Sequence, residues 1–319
     1  MKTIKNAVIF GAGAIGAYLI SGLSKTLGED LIVCAEGERK ERLLKNGLLI
    51  NGEKYTLNVK TPDEIEDPDI VFVCLKYGAL KGAVPQIAKI CGAETIVMSL
   101  MNGVDSEDII AEGLGDDSRI IYSLIRIASR RSGNDIRFEL PSGAKMGILF
   151  GEKGSSAVSE RMEAISRLFD DAGIVSHTSE NIILDIWLKF ASNICMNLPQ
   201  AVLGVGIGAN TDSEYVKDLE HKLNEETINV AEAMGIHMRG IDEGSFRKGY
   251  VPLPFIRYST LQDLDAGRHT EIEMFSGALI RLGKKFSVPT PYNEVIYDCI
   301  KALEEKNDGK FDYGNVGNR

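Results

Sequence analysis

Directly after the apolar, β-branched run Ile4 to Phe10 stands Gly11-Ala12-Gly13-Ala14-Ile15-Gly16, and a helical pattern from Ala17 to Leu27 follows it. A G-x-G-x-x-G alone is weak, but here it occupies the strand-turn-helix position that its mechanism requires. Gly11 allows the tight turn, Gly13 lets a pyrophosphate approach the backbone, and Gly16 lets the helix pack on the sheet. The opening helix then presents the free N–H groups around Ala14 and Ile15, with the positive end of its dipole, to phosphate oxygens. The motif predicts a dinucleotide-binding turn.

The chain around it agrees. Short runs at Leu31 to Ala35, Asp69 to Leu75, Thr95 to Leu100 and Arg119 to Ile127 alternate with helical patterns, as in βαβ units around a parallel sheet. Pro62, Pro68 and Pro85 fall between these runs, as they must if every central strand donates its N–H groups. Asn134 to Phe150 reads as two strands around the turn-like Pro141-Ser142-Gly143, which predicts an antiparallel end to the sheet. After about Ser176 the periodicity turns helical, over Asn181 to Asn197, Ser213 to Met234, Tyr258 to Asp265 and Thr270 to Phe286. The expected fold class is α/β: an N-terminal Rossmann-type doubly wound parallel sheet over residues 1–177 and an all-helical domain over residues 178–319. Asn307 to Arg319, polar and rich in Gly and Asn, reads as a loose tail.

About 20 residues past Gly16, where the second strand ends, stands Glu36, placed to accept hydrogen bonds from the adenosine ribose hydroxyls. A 2′-phosphate there would meet a like charge, which favours NAD(H) over NADP(H). The alternative is a solvated glutamate among Glu38, Arg39, Lys40, Glu41 and Arg42, with Arg39 or Lys40 reaching a 2′-phosphate.

Charge narrows the partners. Lys plus Arg is 36 against 46 for Asp plus Glu, a net charge of −10, and no basic run offers a nucleic-acid backbone a grip. No apolar run approaches the roughly 20 residues that span a bilayer. The first residues carry basic side chains, but glycines interrupt their apolar stretch, so a cytoplasmic location is expected. Five scattered cysteines, with no C-x-x-C spacing, read as small buried hydrophobes rather than as disulfides or a metal site.

In the helical half, Lys189, Asn193 and Asn197 recur every fourth residue and so share one helical face. Two Asn in an otherwise apolar helix call for partners. Reduction of a carbonyl by hydride develops negative charge on oxygen, and an ammonium with two amides supplies a proton donor and hydrogen-bond donors. With a free pKa of about 10.4, a lysine can donate as it stands. A second polar segment runs from Ser259 to Asp263 and on to Arg268-His269-Thr270-Glu271. Thr270 reads as a helix N-cap and Glu271 as a first-turn carboxylate, which by itself accounts for Glu271. His269 is a weaker acid-base candidate beside Lys189. Gly204-Val205-Gly206-Ile207-Gly208 imitates the fingerprint but follows a helix, and reads as a helix stop and loop.

Taken together, these residues resemble the ketopantoate reductase family nearly end to end: the N-terminal G-x-G-x-x-G, Leu75-Lys76 ending a strand, Asn102-Gly103 after another, the Lys189/Asn193/Asn197 helix, and Ser259 to Asp263 ahead of Arg268 to Glu271. The resemblance implies that Lys189 is the general acid, that Asn193 and Asn197 orient it and the substrate, that Ser259 binds the 2-oxo acid, and that Glu271 positions lysine and cofactor. Lys76 and Asn102 would edge the nicotinamide pocket, Asn102 also facing substrate. Three positions depart from the family: Glu36 where an Arg is usual, Asn197-Leu198-Pro199-Gln200 where Asn-Pro and a small hydroxyl residue are common, and Ile256 where a substrate-binding Asn is often found. Arg257 is a candidate for holding a substrate carboxylate in their place.

The expected reaction is reduction of ketopantoate to (R)-pantoate on the way to coenzyme A, with NAD(H) favoured by Glu36 and NADP(H) the family's alternative. A D-2-hydroxyacid dehydrogenase on the same scaffold is the runner-up, suggested by Glu36 and Ile256. A β-hydroxyacid dehydrogenase, which also places Lys-x-x-x-Asn on a helix after a Rossmann domain, and a dinucleotide-sensing regulator without turnover are further readings; the Ser259 to Glu271 segment argues against the first and the retained Lys189/Asn193/Glu271 set against the second. By analogy the helical half offers the surface for a homodimer.

Overall fold

The computed structural model describes residues 3–140, 146–241 and 253–311, and the chain divides into two compact units between Ile186 and Trp187. The first unit opens with β1 (Ala7–Phe10), α1 (Ala14–Leu27), β2 (Leu31–Cys34), α2 (Gly37–Asn46), β3 (Leu48–Ile50), β4 (Glu53–Tyr55) and β5 (Asn58–Lys60). It continues with β6 (Ile70–Val73), α3 (Tyr77–Ile90), β7 (Ile96–Ser99), α4 (Ser106–Leu114), β8 (Ile120–Arg126), β9 (Ala128–Ser132), β10 (Asp135–Glu139), β11 (Gly147–Gly151), α5 (Glu160–Asp171) and β12 (Ser176–Thr178).

The main sheet runs β12-β11-β8-β7-β6-β1-β2-β5. From β5 to β8 every pairing is parallel, Ala7 lying between Leu31 and Ile70 in register. Strands covered on both faces read as unbroken apolar runs rather than alternating ones, and β1, β6 and β7 are buried at every position. Helix α1 has no β-branched run to stiffen it, buries Leu19, Ile20 and Leu23 completely and stops at Gly28, whose φ of 56° a side chain would resist. Truncating one of those leucines to Ala would cost about 2–5 kcal/mol.

The expected antiparallel end is present, as β11 pairs antiparallel with β8. It is not the predicted hairpin, however. The strand before Pro141-Ser142-Gly143, β10, pairs with β9 and β3 in a separate four-stranded sheet, order β4-β3-β10-β9. The proposed turn itself lies outside the described residues. Periodicity marks a strand but not its partner, and the register of β10 is set by Leu48 and Ile50 some ninety positions away, which bury the same face as Ile136.

Helix α6 (Ile182–Ser192) runs into the second unit and passes without a break into a π-helical turn, Asn193–Asn197, and α7 (Leu198–Leu203). Then come α8 (Ala209–Asp212), α9 (Glu214–Ala233), α10 (Ser259–Asp265), a second π turn at Glu273–Gly277 continuing as α11 (Ala278–Phe286), and α12 (Pro291–Asn307). The last helix goes beyond the sequence reading. Its start signal, Pro at the first helical position, is visible in the chain, but its capping group is not local. Glu226 of α9, 6% exposed, accepts hydrogen bonds from the Tyr292 and Asn293 N–H groups at 2.8 and 3.0 Å and from Asn293 Nδ2 at 2.8 Å. Of the expected tail, Asn307 instead closes α12 and donates to the Leu264 carbonyl, while residues 312–319 lie outside the described residues.

The second glycine cluster is the expected helix stop. Gly204 ends α7 in the left-handed region, its N–H donating to the Gln200 carbonyl at 2.9 Å. Among the described residues no helix is long and apolar enough to cross a membrane. Cys34, Cys74 and Cys195 are buried as apolar residues.

Candidate functional site

In the first unit the chain steps from β1 to β2 on one side and returns to β6 on the other, so β1 and β6 flank the point where strand order reverses. In open α/β sheets ligands bind at the carboxyl ends of the strands at such a point. Gly11 follows β1, Glu36 follows β2, Lys76 follows β6 and Asn102 follows β7, so four neighbouring strands deliver them to one edge.

The turn is shaped by what a side chain would meet. At Gly11, φ 102°, a Cβ would overlap the Cys74 carbonyl, because the turn crosses the end of β6, where Cys74 N donates to the Phe10 carbonyl at 2.7 Å. At Gly16 a Cβ would overlap the Gly11 carbonyl oxygen, so the helix can lie on the turn only without one. Gly13 is different: a Cβ there meets nothing within 4 Å, and the open space lies where α1 begins with no side chain capping it. Ala14 and Ile15 form the uncapped first turn. An uncapped first turn opening onto free space could hold an anion such as a pyrophosphate.

A cavity beside the turn is lined by Gly11, Ala35, Glu36, Arg39, Leu75 and Gln86, among others. Glu36 sits just before α2, and one of its oxygens accepts from Gln86 Nε2 at 2.6 Å. Arg39 shares the cavity, and Arg131 of β9 reaches the turn, its Nη1 donating to the Ala12 carbonyl at 3.4 Å. Burial, then the charge of Arg42, lowers the Arg39 pKa; burial, then Arg39 and Arg42, lowers that of Arg131. Among the described residues none of the three has a carboxylate partner. Lys40, the other cation considered from the sequence, is paired with Glu64.

Where β7 ends and α4 begins lies a buried polar chain. The Ser99 and Ser106 hydroxyls are 2.8 Å apart, Ser106 Oγ donates to Glu107 at 2.6 Å, and the Ser123 hydroxyl donates to the Ser99 carbonyl. Glu107 is 3% exposed, and burial pushes its pKa up to about 7. No sequence signal marks this carboxyl, since an acidic residue in a helical first turn is ordinary.

In the second unit Lys189 is half-buried at the end of α6, and Asn193 and Asn197 bound the π turn. A π turn holds about one residue more per turn than an α-helix, and such turns are frequent at functional sites. The two amides meet, Asn197 Nδ2 donating to Asn193 Oδ1 at 3.3 Å, as the shared face expected from the spacing requires. Ser259 opens α10, which packs on this π turn and on α7. The structure therefore brings Asn193, Asn197 and Ser259 into one neighbourhood of the helical unit.

Glu271 stands one residue past Thr270, just ahead of the second π turn, and the two π turns pack together. The Thr270 hydroxyl accepts from Ile272 N–H at 3.2 Å, but Thr270 is not the expected N-cap: the cap position is Ile272, two residues later, with no side-chain cap, and the helix begins as a π turn. Thr270 is itself held from α12: its N–H and hydroxyl both donate to Glu304 Oε1 at 2.7 Å, while Lys301 Nζ donates to the other oxygen at 2.7 Å. His269 lies against Asp308, and Arg257 donates to Asp265 and to the Gly204 carbonyl, so both are already engaged. Among the described residues no cluster of His, Cys, Asp or Glu could hold a metal ion.

Comparison with known proteins gives a consistent picture. Residues 7–149 match the family described as Ketopantoate reductase PanE/ApbA, and residues 181–304 match Ketopantoate reductase PanE/ApbA C terminal. The chain is 28% identical over 314 residues to 2-dehydropantoate 2-reductase of Pyrococcus horikoshii, covering 94% of this chain and 98% of that one. It is 26% identical over 302 residues to the enzyme of that name from Archaeoglobus fulgidus, with the same coverage. The crystal structure of 2-dehydropantoate 2-reductase from Methylococcus capsulatus superposes with a TM-score of 0.77 at 25% identity, covering 98% of this chain and all of that one.

Proposed function

The chain belongs to the ketopantoate reductase family, and from that premise we propose that it reduces 2-dehydropantoate (ketopantoate) at C2 to (R)-pantoate, a step of pantothenate and coenzyme A biosynthesis. It is an oxidoreductase acting on CH–OH groups. The observation that carries this reading is the run Lys189, Asn193, Asn197 on one continuous helix, with the two amides in contact, in a chain whose first unit carries an uncapped glycine turn shaped for a pyrophosphate.

A bound nicotinamide dinucleotide supplies the hydride. Gly11, Gly13, Ala14, Ile15 and Gly16 hold its pyrophosphate through backbone N–H groups, and Lys76 and Asn102 border the nicotinamide. As negative charge develops on the carbonyl oxygen, the Lys189 ammonium donates its proton there. Asn193 and Asn197 orient the lysine and the substrate, Ser259 and Asn102 hold the 2-oxo acid, and Glu271 positions lysine and cofactor. Residues 1–177 serve as the dinucleotide-binding domain and 178–319 as the substrate domain. A cytoplasmic homodimer belongs to the same proposal, checked by light scattering on the purified protein.

For the cofactor, Glu36 at the end of β2 favours NAD(H), since its carboxylate suits ribose hydroxyls and repels a 2′-phosphate. A second reading, NADP(H), is supported by Arg39 in the same cavity and by the charges of Arg42 and Arg131 near it, none of which has a carboxylate partner among the described residues. Initial rates of NADH and NADPH oxidation with ketopantoate, then with an aromatic or branched 2-oxo acid, test both choices. Fast turnover of ketopantoate is expected. Turnover of the other acids alone would replace this reading with a D-2-hydroxyacid dehydrogenase.

A further inference from the structure

Two features left without a role meet in the second unit: the glycine cluster after α7, and Gln200, which stands where the family commonly has a small hydroxyl residue. Gln200 is 1% exposed, so its amide must find partners inside the protein. It finds them on one stretch of backbone, Oε1 accepting from Tyr258 N–H at 2.6 Å and Nε2 donating to the Ile256 carbonyl at 2.9 Å. The same stretch is bonded to the glycine cluster, with Ile207 N–H donating to the Ile256 carbonyl and Gly208 N–H to the Pro254 carbonyl, each at 2.9 Å. The glycines permit this approach: a Cβ at Gly206 would overlap the Pro254 carbonyl, and one at Gly208 would come within 2.7 Å of Pro254 Cβ. Arg257 Nη2 adds a bond to the Gly204 carbonyl at 3.1 Å.

The segment so held leads directly into Ser259, while Gln200 lies three residues past Asn197 on the same helical run. Both substrate-facing groups are thereby tied to one amide: Asn197 by the rigid helix and Ser259 by the bond to the N–H of the residue before it. Without the Gln200 amide the segment would lose two of its bonds to the second unit's helical run and keep only those from the glycine cluster and Arg257, so the clasp is a local constraint on where the segment lies. We propose that Gln200 is a positioning residue for the 2-oxo acid, fixing Ser259 relative to Asn197 through its two backbone hydrogen bonds. This rests on the reading of Ser259 and Asn197 as substrate contacts. It also explains how this chain uses a position at which it departs from its family: the amide does not reach for substrate but sets the distance between groups that do.

The test compares Gln200→Met, which keeps length and loses both bonds, with Gln200→Glu. As a carboxylate the Glu can accept from Tyr258 N–H but repels the Ile256 carbonyl; once protonated it can donate and restores the pair. In Gln200→Met, KM for ketopantoate is expected to rise about tenfold, equivalent to about 1.4 kcal/mol. The dissociation constant of the reduced dinucleotide, read by its fluorescence, and kcat should stay within about twofold. In Gln200→Glu the raised KM should fall back toward the wild-type value as the pH is lowered, each point being normalised to wild type at that pH. A lowered melting temperature with unchanged KM in either variant, or a Gln200→Glu KM that parallels wild type at every pH, would reduce Gln200 to a packing role. Wild-type protein that turns over no 2-oxo acid would overturn the functional proposal and this one together, while an active wild type with an unaltered Gln200→Met KM overturns this one alone.

Discussion

At the glycine turn of the first unit the groups offered to a ligand are backbone N–H groups, and the residues are chosen for what they lack: Gly11 and Gly16 have no room for a Cβ, and Gly13 opens onto empty space. Around the Asn193–Asn197 turn of the second unit the offered groups are side chains, and the residues are chosen for what they carry. The difference follows the task. A pyrophosphate is a fixed diffuse anion, which rigid N–H dipoles match without moving a proton. A carbonyl that becomes an alcohol needs a group able to give up a proton, and the backbone has none to give at neutral pH. The second unit also joins its helices by side chains distant in sequence: Gln200 holds the backbone before Ser259, Glu226 the start of α12, and Glu304 Thr270.

The largest effect that would sharpen this contrast is at Lys189. Lys189→Ala should lower kcat by about 10²–10⁴-fold, the usual worth of a general acid, with the dissociation constant for reduced dinucleotide unchanged. Turnover at the wild-type rate would remove the side-chain half of the contrast.

Glu107 tests it from the opposite side, as part of a buried side-chain network in the unit whose glycine turn offers backbone groups. Its folded pKa, raised by burial from 4.5 to about 7, means that the folded state holds a proton which the unfolded state has released between those values. Stability should therefore fall as the pH rises through that window and level off above about 7. The shift corresponds to about 3 kcal/mol. Urea unfolding of wild type and Glu107→Gln at pH 4.5 and 8 should show the wild type losing that much relative to the variant. Parallel pH dependences would mean that the carboxyl is not the titrating group.

Smaller effects separate the glycines from one another. Gly16→Ala, forced against the Gly11 carbonyl, should cost stability by about 1–3 kcal/mol as well as weakening the dinucleotide. Gly13→Ala, with open space before it, should leave the melting temperature nearly unchanged and weaken only binding. Equal loss of stability in both would contradict the roles read from the backbone.

Much of this was legible beforehand because its causes are local. Strands β1, β2, β6, β7 and β8 are apolar runs, whereas the edge strand β5, with one apolar residue between Asn58 and Lys60, gives no such signal; the glycine turn is a contiguous motif, and Lys189, Asn193 and Asn197 share a face by spacing alone. The second sheet was not legible, because β10 shows its own alternation and not the identity of β3 and β9 beside it. Helix α12 was missed because its N-terminus is capped by Glu226, 65 or more positions earlier in the chain. The π turns could not be foreseen either: i+4 and i+5 hydrogen bonding use the same residue types, and the choice is made by what packs against the turn.

The sequence by itself determined the fold class, the glycine turn and the shared face of Lys189, Asn193 and Asn197, since each follows from chirality, sterics or helical period within a few residues. Tertiary structure decided how those pieces are held: that Gln200 turns its amide to the backbone before Ser259, that Glu304 anchors Thr270, and that Glu107 is buried enough to hold its proton near neutral pH. Such outcomes depend on which distant donor or apolar wall lies within about 3–4 Å, and no local pattern encodes a neighbour that only folding supplies.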